Sequence, residues 1–316
     1  MLSITNTLTK AITQIPIKQA LLCAENKPNY VHPTGVERDR LLEIRNQLEK
    51  ETDEGSVDLS IEDKLAKITI CNPHKKNAMT EKMIVDFFDI ADYLSSWKGN
   101  FILLQGSKHT FCSGFDLETA VKYSHNKEGK LNMALFMQDT CNRIKRLPIP
   151  SCSFVEGYAM GGGAEITTST DFRIMSPSAI TRFVHVRLGL CPSWGGGSRL
   201  ASIIGPKNAL RYIGSATPIN AETGLKIGYC EDILEENKLH EFYSPFLEYS
   251  SDAVNAVKTI ISGVQNELIT SEIMRIEQDQ MNMLFNSKSN KVGLDTCPIA
   301  QKYRKRHEQN HSSFEN

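Results

Sequence analysis

The chain is poor in the features that mark several common protein classes. Its eight cysteines contain no CxxC pair, which sets aside a zinc knuckle or a thioredoxin-like motif. They are spread through apolar stretches and are read as reduced thiols of an intracellular protein. No run approaches the roughly 18 apolar residues of a membrane helix, so no membrane partner is expected. There is no GxGxxG turn, no P-loop lysine and no GxSxG elbow, which disfavours dinucleotide binding, P-loop chemistry and serine hydrolysis. Lys+Arg 36 and Asp+Glu 37 nearly cancel, to a formal net charge of −1. Nucleic acid is therefore not an expected partner.

The first arginine is Arg38, and no acidic residue precedes Glu25. With Lys10, Lys18 and several threonines, the N-terminus faintly resembles a mitochondrial transit peptide. It lacks that signal's arginines, however, and a floppy extension is the alternative reading. His307–His311 spells HExxH, but in a polar tail rather than a long buried helix, so no metal site is expected.

What remains is an ordinary globular composition, with 40% hydrophobic and 23% charged residues in 316. Four regions are expected: an N-terminal extension over 1–55, irregular and then helical; a core over 56–250; a helical region over 251–293; and a polar tail over 294–316. Glu37–Gly55 has apolar residues at helical spacing and reads as an exposed amphipathic helix. SVDLSIEDKLAKITICNP reads as two strands around a polar turn. A helix follows from Thr80, whose side chain can cap it. FILLQG is a buried strand, LNMALFMQDTCNRIKRL a helix stopped by prolines, IPSCSFVEG and DFRIM further strands. Strand and helix alternate, which is an α/β pattern. Helices are expected at Asp252–Ser262 and Glu267–Phe285.

The stretch GYAMGGGAE, Gly157–Glu165, carries the chemistry. It joins a strand to a helix start, where backbone N–H groups are unpaired and partly positive. Bare glycine lets a substrate oxygen reach them, as in an oxyanion hole. HTFCSGFDL, His109–Leu117, is a second strand-to-turn junction able to supply another N–H. Close helix–strand packing is the alternative reading of the glycines.

Taken together, ICNPHKKNAM, FCSGFDL, GYAMGGGAE and VRLGLCPSWGGGSRLASIIG, in that order, resemble the enoyl-CoA hydratase/isomerase (crotonase) family over roughly Val57–Phe285. The resemblance implies a spiral of ββα units with a C-terminal helical trimerisation region, forming a homotrimer or a hexamer. It implies an acyl-CoA substrate, with no cofactor beyond that CoA, held by its thioester oxygen between the N–H groups of Phe115 and Gly162. Lys75, Lys76 and Ala78 fall where the family holds CoA, although paired lysines also suit a solvated turn.

The hydratases' first glutamate matches Glu165. Their second position falls at His185, so the usual acid–base pair is absent. Together with Trp194 in PSWGG, in place of a small residue, this resembles the family's decarboxylases. The implied reaction is loss of CO2 from a 2-alkylmalonyl-CoA, chiefly (S)-ethylmalonyl-CoA to butyryl-CoA, with methylmalonyl-CoA slower. That is a metabolite-repair role, in the cytosol or alternatively the mitochondrion. Glu165 is expected as proton donor or positioning group with a raised pKa, although a helix start instead favours its ionised form. His185 either binds the leaving carboxylate or is a satisfied core histidine. Trp194 either shapes the acyl pocket or packs the core. A hydratase, an isomerase and a non-catalytic RNA-binding relative are the rivals. The mixed helix TEKMIVDFFDIADYLSS lacks the lysine face the last would need.

Overall fold

The computed structural model describes residues 36–49, 54–123, 125–249, 251–266 and 294–312, together with Thr13–Gln14, Asn282 and Lys291. In chain order, β1 (Thr13–Gln14) is followed by α1 (Arg38–Leu48), β2 (Ser56–Glu62), β3 (Leu65–Cys71), α2 (Glu81–Leu94) and β4 (Phe101–Gly106). Next come α3 (Leu117–Lys122), α4 (Lys127–Arg146), β5 (Ser151–Val155), β6 (Tyr158–Met160), α5 (Gly162–Thr167), β7 (Phe172–Met175) and β8 (Ile180–Arg182). The remainder is α6 (Gly196–Ile204), α7 (Pro206–Gly214), β9 (Ile219–Asn220), α8 (Ala221–Ile227), β10 (Asp232–Ile233), α9 (Leu239–Leu247), α10 (Ser251–Asn266) and α11 (Pro298–Ser312).

Seven strands form one sheet in the order β1-β2-β3-β4-β5-β7-β10, and β6, β8 and β9 form a second. The β2–β3 hairpin is antiparallel, and from β3 onward the large sheet is parallel. Parallel strands are covered on both faces. Accordingly Phe101–Leu104 and all of β5 are buried. Two isolated parallel bridges, Met79 with Phe115 and Cys112 with Ala159, tie the early turns into the second layer. Each turn of the chain thus gives a strand to the large sheet, a short extended piece to the second layer, and then a helix. This is the expected ββα spiral.

Local chemistry accounts for the helix starts. Thr80 accepts a hydrogen bond from Met83 N–H, and Asp116 from Thr119 N–H, each satisfying an otherwise orphaned donor. Leu147-Pro148 ends α4 by denying the chain a further helical turn.

Two features differ from the sequence expectation. The helix read as exposed is docked: Leu41, Ile44, Arg45 and Leu48 of α1 are buried. Arg45 holds Asp89 of α2 by two bonds of 2.7 Å. The periodicity was right, but two-sided charge hid the partner surface. Replacing Arg45 with Met strands a buried Asp89 carboxylate. We expect a loss of about 3–5 kcal/mol of stability in urea titrations.

The segment read as a polar tail is the second difference. Pro298–Ser312 is a helix packed near α3, with Ala300 buried. The expected extension over 1–35, except Thr13–Gln14, and the helix over Glu267–Phe285, except Asn282, lie outside the described residues. So do the side chains of His307–His311. Seven cysteines among the described residues are free, and Cys112, Cys141, Cys152 and Cys230 are buried.

Candidate active site

The two glycine-bearing turns meet at one edge of the second layer. Cys112 N–H donates to Tyr158 C=O and Met160 N–H to Cys112 C=O. This zips the turn after β4 to β6, which leads straight into the glycine turn. A Cβ on Gly114 would lie 3.2 Å from Gly162 N, so the two candidate donors belong to one small region.

Met79 N–H donates to Gly114 C=O, and Asp116 N–H to Met79 C=O. In a parallel bridge of this register, Phe115 N–H points away from Met79. Gly162 is the first residue of α5, so its N–H has no intrahelical acceptor. Just before it, Gly161 sits at φ 52°, ψ −120°, a conformation closed to side chains. That kink aims the start of α5 at the cavity.

The cavity holds about 630 Å³ and is lined by Phe115, Gly162, Glu165, His185 and Trp194. Its apolar wall comes from α3 and α4 (Leu117, Ala120, Met133, Ala134) and from the segment leading into α11 (Leu294, Cys297, Pro298). The sequence brings these together only through the fold. Trp194, 5% exposed, crosses Phe115 edge-to-face at 6.3 Å and lies directly over Gly162. It therefore both lines the cavity and packs against its neighbours.

Glu165 is 1% exposed. Its Oε2 accepts N–H bonds from Trp194 at 2.8 Å and Gly196 at 2.9 Å, and Oε1 accepts from Ser193 at 3.3 Å. His185 Nε2 stands 2.9 Å from Oε1. A carboxylate only accepts, so that nitrogen carries the hydrogen. His185 Nδ1 is buried with no partner.

Burial alone would raise the Glu165 carboxyl. The charge and hydrogen bond of His185, then Gly196 N–H and the charge of Arg199, outweigh it and hold the carboxyl below its ordinary range. This corrects the expected raised pKa. Glu165 is an ionised group in a cradle of amides, not a resting proton donor. The signal in the sequence was the second glycine run, PSWGGGSR, which opens another helix and aims its N–H groups at the carboxylate.

The three expected CoA-side residues are not brought into the cavity. Lys75 is engaged with Asp116 and Glu118, each at 3.1 Å. Lys76 is exposed. Ala78 C=O accepts from Asn72 within its own turn. The cations that do line the cavity are Lys130, on α4, and Arg187, two residues past His185. Burial pushes the Lys130 ammonium down from its usual value. Sequence reading missed both, since neither lies in a glycine turn.

The sequence model of the enoyl-CoA hydratase/isomerase family matches residues 60–300. The chain belongs to that family. A Xenopus tropicalis protein named ethylmalonyl-CoA decarboxylase is 37% identical over 245 residues, covering 75% of this chain and 81% of the relative. The fold is shared with an enoyl-CoA hydratase/isomerase from Mycobacterium paratuberculosis. That structure is 17% identical, has a TM-score of 0.71, and the match covers 77% of this chain and 98% of that one. It is shared too with a Thermobifida fusca YX structure, described as an enoyl-CoA hydratase in complex with acetoacetyl-CoA. There identity is 22%, TM-score 0.59, and coverage 70% and 94%.

Proposed function

We propose that the protein is a carboxy-lyase that removes CO2 from a 2-alkylmalonyl-CoA, chiefly (S)-ethylmalonyl-CoA, to give butyryl-CoA. Methylmalonyl-CoA is a slower substrate. The observation that carries the reading is the Glu165–His185 pair at 2.9 Å beside two free backbone donors. Identity to relatives named for this activity supports it. A hydratase needs separate groups to deliver water's hydroxide and proton. Here the second carboxylate is replaced by a histidine that engages the first. The site keeps an anion-stabilising hole and loses the acid–base pair that water addition uses.

In this reading, Phe115 and Gly162 N–H donate to the thioester oxygen. The bond from Cα to the carboxylate breaks, its electron pair enters the thioester to form the enolate, and CO2 leaves. The hole stabilises the charge that develops on oxygen. A proton added to Cα then completes the acyl-CoA. Ionised Glu165 does not supply it. The imidazolium of His185 does, held and stabilised by Glu165 as a buried carboxylate serves the histidine of a catalytic triad. Solvent then reprotonates the imidazole. The thioester itself is the electron sink, so no cofactor beyond the CoA of the substrate takes part. The protein acts as a cytosolic homotrimer or hexamer in metabolite repair, with the mitochondrion the alternative compartment.

The test is CO2 release and product analysis with ethylmalonyl-CoA, methylmalonyl-CoA and crotonyl-CoA. Expected are butyryl-CoA from the first, slower turnover of the second, and no hydration of the third. Hydration of crotonyl-CoA without CO2 release from either malonyl thioester overturns the reading.

A further inference from the structure

We propose that Arg199 is a positioning residue for the Glu165–His185 pair, a buried cation that clamps the Glu165 helix to the loop whose amides cradle its carboxylate. The proposal rests on that pair being the reaction machinery.

Arg199, on α6, is 1% exposed. Its donors reach only neutral acceptors. Nε donates to Thr168 Oγ1 at 2.9 Å, Nη1 to Asn142 Oδ1 at 3.2 Å, and Nη2 to Trp194 C=O at 2.8 Å and Glu165 C=O at 3.2 Å. A buried charge without a facing counter-ion is costly, and here its field has an evident use. Trp194 N–H donates to Glu165 Oε2, and one guanidinium nitrogen also bonds the backbone carbonyls of these same two residues. The planar fork thus fixes the distance between α5 and the loop Ser193–Gly196. Its permanent charge also favours ionised Glu165, alongside His185 and the Gly196 amide.

The groups facing this cluster are few. His185 comes from the turn after β8, and Cys141 and Asn142 come from α4. Asp139, behind Cys141, is paired with Arg143. Burial keeps the Cys141 thiol protonated, pushed up to about 12, so it does not compete for the charge of Arg199. A lysine could supply the charge but not four directed bonds in one plane.

That difference gives the test. Arg199→Met removes charge and fork, whereas Arg199→Lys keeps the charge alone. The first readout needs no substrate: carboxyl 13C NMR titration of the full chain labelled at glutamate, with Glu165 identified by its absence in Glu165→Gln. In Arg199→Met the Glu165 carboxyl is expected to titrate at higher pH than in wild type, and in Arg199→Lys close to wild type. An unchanged Glu165 titration in Arg199→Met overturns the proposal, whatever the reaction proves to be.

The second readout is CO2 release against pH. Arg199→Met should lose roughly 10²-fold in kcat, with KM little changed and the acid limb moved to higher pH. A purely structural role would instead lower activity evenly across pH. If Arg199→Met fails to fold, Arg199→Lys and Thr168→Val carry the test. Wild-type kcat in both folded variants overturns the clamp, and a lowered kcat with normal melting supports it.

Discussion

Replacing His185 with Phe is expected to lower kcat for CO2 release by about 10²–10⁴-fold, the span of a lost general acid. KM should change much less, because in the proposed mechanism the thioester is held by backbone amides. Glu165→Gln should fall in the same range by a different route. His185 loses the carboxylate that accepts from its Nε2–H, orients the ring and stabilises its charged form. If the two residues act as one unit, the double variant should be little worse than either single one. Additive losses would instead assign them independent roles.

Stability should also separate these variants by pH. The folded Glu165 carboxyl lies below its ordinary value, with burial opposing and His185, Gly196 and Arg199 prevailing. A depressed carboxyl stabilises the fold fully above the unfolded value of about 4.3, and that contribution is lost as pH falls through the lower folded value. Glu165→Gln has nothing to titrate there. Its melting temperature should start lower at neutral pH, because an amide cannot accept every bond the carboxylate does. It should then fall less steeply than wild type below about pH 4. Parallel curves would show that Glu165 is not ionised in the folded protein.

If Gly162 N–H is the proposed oxyanion donor, Gly162→Ala is expected to cost about 10²–10³-fold in kcat, because alanine keeps that N–H but the added methyl forces it out of aim. The added Cβ would lie 2.4 Å from Trp194 Cζ3 and 2.6 Å from Cη2. A rigid indole cannot yield at that distance without moving. It is braced by Phe115, the residue that carries the other donor. One methyl group therefore disturbs both halves of the hole. The overpacking should also remove about 1–3 kcal/mol of stability. In a Trp194→Ala background the same substitution should cost far less in thermal melting, because the two residues share one volume. Equal costs in both backgrounds would mean that the clash is relieved elsewhere.

Sequence and structure divide these results in a physical way. The main strands, several helices and their α/β alternation were legible because hydrophobic alternation, helical spacing and the Thr80 cap are local signals, whereas the ββα spiral was legible only through the family resemblance. The two glycine turns were local signals too: a run of bare backbone between strand and helix has few uses. The spacing also exposed the missing second carboxylate, since His185 stands where the family pattern puts a glutamate.

Other features needed the folded chain. The burial of α1 depended on Asp89, 44 residues from Arg45. The reach of the C-terminal segment into the cavity wall depended on where α11 docks. The partners of Lys75, Asp116 and Glu118, lie 41 and 43 residues further along the chain and reach it only in the folded protein.

The sequence by itself determined the family and singled out the two glycine turns, Glu165, His185 and Trp194, because each lies in a contiguous motif. Only the tertiary structure decided the ionisation of Glu165. A helix start and a nearby substrate charge pull its pKa in opposite directions. The balance is struck by His185, Arg199 and the amides of Ser193, Trp194 and Gly196, 20 to 34 residues away along the chain and within bonding distance or field range only once it is folded.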